Sequence, residues 1–327
     1  MITTSINYLK ELITPSGLFR ASTQYTTGYN RIWIRDNLYI SIGFESNKPT
    51  IEKVYHSLLD LMIKYEWKID EVIKEKPTED FKFIHPLYTD ALEEIEGGWG
   101  WKQNDAIGGL LFHVGDLQQK GYNILYKDPY YKIIGKLVQY LKSIRYWEDE
   151  DNGMWEENKE IHSSSVGACV AGLEKIKYFT NVPKNLIQKG RNTLKQQLPK
   201  ESIIKKTDLS LLSLIYPYDI INTEMSLQIL NDVEKYLVKK NGVIRYKDDK
   251  YYCENEKEAS WTMGFPWLAI CYYQLNNLEK YKCYLQKSIN SLTNDLKMPE
   301  LYKEDKEPNE NTPLGWSQSL LIKAITL

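Results

Sequence analysis

The chain has 327 residues, 42% of them hydrophobic, and a formal net charge of −2 from 42 Lys and Arg against 44 Asp and Glu. Evenly mixed charge argues against a phosphate-backbone partner, so no nucleic acid is expected, and no run of about 18 apolar residues suggests a membrane span. Without a Pro/Gly/Ser-rich linker or a shift in composition, a single domain over residues 1–327 is expected.

Along the chain the pattern predicts helix after helix and almost no strand. The first segment, Met1 to Lys10, lacks the apolar core of a secretory signal, which leads to the expectation of a cytoplasmic protein. Helices are predicted over 4–13 and 36–46, and Ile51, Val54, Leu58 and Leu61 mark a core-facing stripe at the spacing of one helical face. The next are 103–120 and a helix through Ile134, Leu137, Leu141 and Ile144, with Asp128-Pro129 as its start signal. Then follow 163–179, 183–198, 207–216, 222–239, 259–275, 277–294 and 313–326, about twelve helices in all. Ser163 to Ser165, Asn276 and Asn311 are read as capping signals. The helix count would fit a helical solenoid, but the sequence shows no self-similar repeat of the kind solenoids display.

Other features bound the chemistry. Cys169, Cys253, Cys271 and Cys283 lack metal-ligand spacing, His56, His85, His113 and His162 are scattered, and neither metal nor cofactor is expected. Cys169 and Cys271 fall in apolar helical patterns and read as buried free thiols. The run Glu148-Asp149-Glu150-Asp151 reads as a solvated face, and Glu93 to Gly98 as a flexible acidic loop. With 9 Trp and 25 Tyr against 7 Phe, most rings have a hydrogen-bonding handle, which suits a wet cleft as well as ordinary helix packing.

The most informative stretch is Asp151-Asn152-Gly153-Met154-Trp155-Glu156-Glu157, which has a distant counterpart in Met298-Pro299-Glu300-Leu301-Tyr302. Cleaving a sugar acetal requires one carboxylic acid to protonate the leaving oxygen and one carboxylate on the opposite face. A tryptophan beside the acid gives a sugar ring an apolar face and desolvates the acid. Four further segments complete an ordered series: Trp33-Ile34-Arg35-Asp36-Asn37; Trp99-Gly100 with Gln103 and Asp105; Gly242-Val243-Ile244-Arg245-Tyr246; and Trp316-Ser317-Gln318-Ser319.

That series resembles glycoside hydrolase family 15, the glucoamylase family, and its relatives in the amino-terminal domains of the phosphorylase kinase α and β subunits. The resemblance implies an all-α fold, an (α/α)6 toroid of inner and outer helices with the site in a funnel at one end. It also implies roles. Glu156 matches the general acid and Glu300 the general base; Glu157 matches a neighbour that contacts bound sugar. Arg35 and Asp36 match the pair that holds the terminal glucose, and Arg245 an arginine flanking the scissile bond. Trp33, Trp99, Trp155, Trp261 and Trp316 are candidate pocket walls, with Trp267 placed in the core. Gln103 and Asp105 are expected to orient the groups that touch substrate, and Tyr302 to hydrogen-bond the base.

The function implied is an exo-acting inverting α-glucosidase. With no room for a starch-binding module or a preceding β-sandwich, the expected substrates are short α-1,4- or α-1,6-linked gluco-oligosaccharides. Two rival readings are a sugar-binding regulatory domain without turnover and a helical scaffold that binds a protein.

Overall fold

The computed structural model describes residues 1–95, 100–304 and 306–327. Among the described residues there are twelve α-helices and two 3₁₀ helices. They divide by how much of their surface is covered. Helices α2 (Ile34–Ile42), α5 (Asn104–Gln119), α7 (Ser163–Ile176), α10 (Gly264–Gln274) and α12 (Gly315–Ile325) are buried over nearly their whole length. Helices α1 (Ile2–Glu11), α3 (Lys48–Lys64), α6 (Asp128–Ile144), α8 (Lys184–Gln197), α9 (Thr223–Tyr236) and α11 (Leu278–Asn290) bury one stripe each. A helix covered all round belongs to an inner layer and a one-striped helix to an outer layer.

The inner layer closes on itself. Helix α2 packs on α5, α5 on α7, α7 on the 3₁₀ helix Leu209–Leu214, that helix on α10, α10 on α12, and α12 again on α2. This is the (α/α)6 toroid implied by the motif series. The closure is made by elements far apart in sequence; Ser319 Oγ, for example, donates to the Tyr39 carbonyl at 2.7 Å.

Strands are few and short. Strand β1 (Ile32–Trp33) pairs antiparallel with β2 (Leu87–Tyr88), and β3 (Ser260–Trp261), β4 (Leu301–Lys303) and β5 (Glu307–Pro308) form a second small sheet. The register Trp261↔Leu301 matters for the site, because it brings the segment of Glu300 beside that of Trp261.

Several expectations need correction. Residues 207–216 form only a six-residue 3₁₀ helix, and 259–275 becomes helical only at Gly264, because Ser260 and Trp261 are taken by the sheet. Helix α4 (Glu66–Lys74), which follows α3 after Tyr65, was not predicted. Helix α11 is capped by Asn277, which accepts from the Lys280 N–H at 3.1 Å, and not by Asn276. The expected serine cap of α7 is supplied by an acid from elsewhere: Glu201 accepts from the Ser164 N–H at 3.0 Å. Asp151 does the same for α5 through the Asn104 N–H at 2.8 Å. A carboxylate at these orphan N–H groups satisfies both the hydrogen bond and the helix dipole. The run from Glu148 is therefore not a solvated face, since Asp149 and Asp151 are buried and Asp149 pairs with Lys102 at 2.7 Å.

Helices α5 and α7 approach closely through glycine. A Cβ on Gly108 would lie 2.4 Å from the Cys169 nitrogen and 2.5 Å from the Ala168 carbonyl carbon, both rigid backbone. Gly108→Ala is expected to destabilise by about 1–3 kcal/mol through overpacking, despite roughly 1 kcal/mol of gained helix propensity. Chemical denaturation checks this; an unchanged midpoint would mean that the two helices can separate without cost.

Candidate active site

The starts of the inner helices and the segments before them meet around one cavity of about 220 Å3. Trp33, Arg35 and Asp36 come from β1 and the first turn of α2, Trp155, Glu156 and Glu157 from the segment before α7, and Trp316 from the start of α12. Arg245, Trp261 and Glu300 complete the convergence. Loops and helix ends held by a rigid scaffold commonly position reactive groups in this way.

Glu156 sits in a backbone turn in the left-handed region, φ +62°, and lines the cavity. Its Oε1 accepts from Arg35 Nη2 at 3.1 Å and from Gln103 Nε2 at 2.9 Å, and the Trp33 indole also bonds the carboxyl. Burial raises its affinity for a proton above the ordinary carboxylate range, although Arg35, Gln103 and Trp33 oppose the shift. Arg35 is the hub of this side. Its Nη1 donates to Gln103 at 2.8 Å and to Asp105 at 3.0 Å, while its Nε has no partner among the described residues.

Glu300 is fully buried. Its Oε2 accepts from the side-chain amides of Asn309 and Asn311, the latter at 2.8 Å, and the Tyr29 hydroxyl lies beside the carboxylate. Oε1 has no hydrogen-bond partner among the described residues. Burial raises this carboxyl too, opposed by Asn311, Tyr29 and Asn309.

An aromatic and cationic wall lines the same cavity. Arg245 donates to Asp249 through Nε and Nη2, each at 2.7 Å, and to Glu157 at 2.9 Å. Its guanidinium lies 4.9 Å from the Trp261 ring centre, 5.0 Å from Tyr251 and 5.4 Å from Trp155. Such packing fixes a planar donor in a way that a lysine could not reproduce. Glu157 also accepts from Lys205 at 2.7 Å and from the Tyr246 hydroxyl at 2.6 Å. Burial would raise its pKa, but Arg245 and Lys205 outweigh it and hold the carboxylate below the usual range. The Trp155 indole is anchored on Asp208 at 2.8 Å, and its ring is stacked at 6.3 Å with that of Trp316.

The expected site residues therefore fall into groups. Glu156, Glu300, Trp33, Arg35, Asp36, Trp155, Glu157, Arg245, Trp261 and Trp316 line the cavity. Gln103 and Asp105 stand behind it, bracing Arg35 and Glu156. Tyr302 is not part of it: its hydroxyl donates to the Ser291 carbonyl at 3.1 Å, at the end of α11. The tyrosine beside Glu300 is instead Tyr29, whose hydroxyl bonds that of Tyr251 at 3.0 Å. Trp99 lies outside the described residues, as do Glu96 to Gly98 of the acidic loop, whose Glu93 and Glu94 pair with Lys64 and Lys68 at 2.6 Å each. Trp267 is in the core, its indole donating to the Tyr216 carbonyl at 2.7 Å. Besides Tyr29, the sequence reading missed Asn309, Asn311, Asp249 and Lys205. Asn311 had been read as a helix cap, but its side chain is spent on Glu300.

Asp36 has a pH consequence. Its carboxyl is pushed up from 3.8 to about 7, chiefly by burial, with Arg35 opposing and Glu156 and Glu300 adding. The folded protein thus retains a proton that the unfolded chain releases, so this group's contribution to stability falls as pH rises from about 4 to 7. Asp36→Asn is expected to raise the melting temperature relative to the parent more at pH 7 than at pH 4. Equal differences at the two pH values would contradict the burial assigned to this carboxyl.

Residues 1–207 match the family model described as glycosyl hydrolases family 15. The chain belongs to this family. It is similar to an uncharacterized glycosyl hydrolase of Methanocaldococcus jannaschii, 24% identical over 330 residues covering 90% of this chain and 50% of that protein. It is also similar to a probable phosphorylase b kinase regulatory subunit alpha of Caenorhabditis elegans, 22% identical over 368 residues covering 89% of this chain and 30% of the subunit. The chain thus spans half or less of these curated relatives. A solved wild-type glycosidase shares the fold with a TM-score of 0.86 at 16% identity, covering 99% of this chain and 95% of that one.

Proposed function

We propose that the protein is an exo-acting, inverting α-glucoside hydrolase that releases β-glucose from the non-reducing ends of short α-1,4- or α-1,6-linked gluco-oligosaccharides. The observation that carries this reading is a set of unspent polar atoms on the cavity-lining residues. Arg35 Nε, Trp261 Nε1 and Trp316 Nε1 are donors, and Glu300 Oε1 is an acceptor, all buried and unpartnered among the described residues. Buried polar groups are normally satisfied, and a ligand rich in hydroxyls would satisfy these while resting against the aromatic wall that Trp155 and Trp316 contribute to.

The cavity's small volume, about 220 Å3, suits a chain end better than a chain passing through, which supports exo-action. Glu156, desolvated and pinned through one oxygen, is assigned the proton donor for the departing glycosidic oxygen. Glu300 is assigned the base, its free Oε1 accepting the proton of the attacking water. Asp36 makes no hydrogen bond to another residue among the described residues and is left for substrate hydroxyls. Free thiols at Cys169, Cys253, Cys271 and Cys283 favour a reducing compartment such as the cytoplasm.

The likeness to a kinase regulatory subunit favours a second reading, a sugar-binding domain without turnover. Glucose release from maltose, isomaltose, trehalose and maltotriose separates the two. Turnover of at least one supports the hydrolase, whereas saturable binding of these sugars with no glucose released would establish the regulatory domain.

A further inference from the structure

A cavity larger than the one at the carboxylates opens elsewhere in the molecule. It lies at the other end of the barrel, where the inner helices finish, and encloses about 550 Å3. Its cause is visible in the inner layer. Helix α5 has 16 residues, whereas the fourth inner position is filled by a 3₁₀ helix of 6. At rises of about 1.5 and 2.0 Å per residue the second is roughly half as long. The barrel wall stops short there, and the segment 215–220 folds across the opening, bringing Tyr216 and Tyr218 to it.

Most of the charged groups on the lining are spent on ion pairs, while neutral hydrogen-bonding groups are left over. Asp116 pairs with both Lys120 and Lys175 at 2.7 Å, Glu174 with Arg191 at 2.7 Å, and Glu45 with Lys323 at 2.6 Å. By contrast, the imidazole of His113 and the hydroxyls of Tyr216 and Tyr218 make no hydrogen bond among the described residues, although these side chains are at least nine-tenths buried and line the cavity. The His113 ring is stacked on Tyr55 at 5.9 Å, and the Tyr218 ring edges Phe112 at 5.1 Å, so these groups are held in place. Burial pushes the His113 imidazole down to about 4, which leaves it neutral, with one donor and one acceptor nitrogen.

We propose that this far mouth is a second binding site, for a neutral polyhydroxylated molecule the size of a mono- or disaccharide, recognised by His113, Tyr216 and Tyr218. The volume falls within the range of about 300–1,000 Å3 usual for small-molecule sites. An anion such as phosphate would have to compete with Asp116 for Lys120 and Lys175, both already paired with that carboxylate. A neutral polyol meets groups that both donate and accept, beside aromatic rings on which its apolar face can rest.

The inference is independent of turnover at the other end. The test is a titration of protein labelled with 15N in histidine, using D-glucose, maltose and inorganic phosphate as probes. Saturable shifts of the His113 imidazole signals with glucose or maltose, and none with phosphate, are expected. His113→Leu and Tyr218→Phe strand no hydrogen-bond partner, so each should keep its melting temperature and turnover. Each should weaken sugar binding at this mouth about two- to tenfold, the worth of one neutral hydrogen bond; in the histidine variant, binding is read from the Tyr218 ring signals. Unmoved His113 signals with both sugars would overturn the proposal, as would shifts with phosphate alone or sugar affinity unchanged in both variants.

Discussion

Glu156→Gln and Glu300→Gln are each expected to lower kcat about 10²- to 10⁴-fold, the usual worth of positioned acid or base assistance. The substitutions are informative because little else should change. Glutamine at 156 keeps an oxygen for Arg35 and Gln103, which now donate to Oε1, but it has no acidic proton for a leaving group. Glutamine at 300 keeps an oxygen for the amides of Asn309 and Asn311, but it cannot accept a proton from water. Circular dichroism should show native helicity, and oligosaccharide binding should survive. Near-normal rates in both variants would remove the two glutamates from their assigned roles.

Arg35 should be the most damaging position that donates no proton. Its two terminal nitrogens join Gln103, Asp105 and Glu156 in one buried network. In Arg35→Leu, Asp105, which is 2% exposed, loses its cation, and breaking a buried pair this way costs about 3–5 kcal/mol. Turnover should fall with it, since misplacing a catalytic group by an ångström can cost about 10²-fold. The conservative Arg35→Lys should rescue stability in part and activity hardly at all, because one ammonium cannot reproduce a forked donor to three partners. Thermal melts and kcat/KM for both variants check this. A lysine variant with parental activity would show that only the charge matters at this position.

Much of this site was legible because many of its residues come in short consecutive motifs. Arg35 and Asp36 open an inner helix, Trp155 to Glu157 lie in the segment before one, and Arg245 with Tyr246 lie in the connection that follows α9. The environment of Glu300 was not legible. Tyr29, Asn309 and Asn311 reach Glu300 from separate turns, and no spacing rule links positions that meet only after the ring closes. Tyr302 misled for the complementary reason, since adjacency to Glu300 said nothing of the Ser291 carbonyl that takes its hydroxyl. Asp149 and Asp151 looked like a solvated run because like charges usually are. They are buried because Lys102, Asn104 and Ser165 arrive from other elements to meet them. In the fold, helix positions followed from spacing, but toroidal closure came from family likeness, and the sheet that pairs Trp261 with Leu301 left only two or three residues per strand to detect.

The central claim is that Glu156 and Glu300 act from opposite sides of the scissile bond in a single displacement. In such a step a water deprotonated by Glu300 attacks the face opposite the oxygen that Glu156 protonates, so the anomeric configuration inverts. Proton NMR of sugar freshly released from maltose or isomaltose, recorded before mutarotation, reads the outcome directly. β-Glucose as the first product is the expected result; α-glucose as the first product would contradict it, because retention requires a covalent double displacement in which Glu300 could not serve as the base for water.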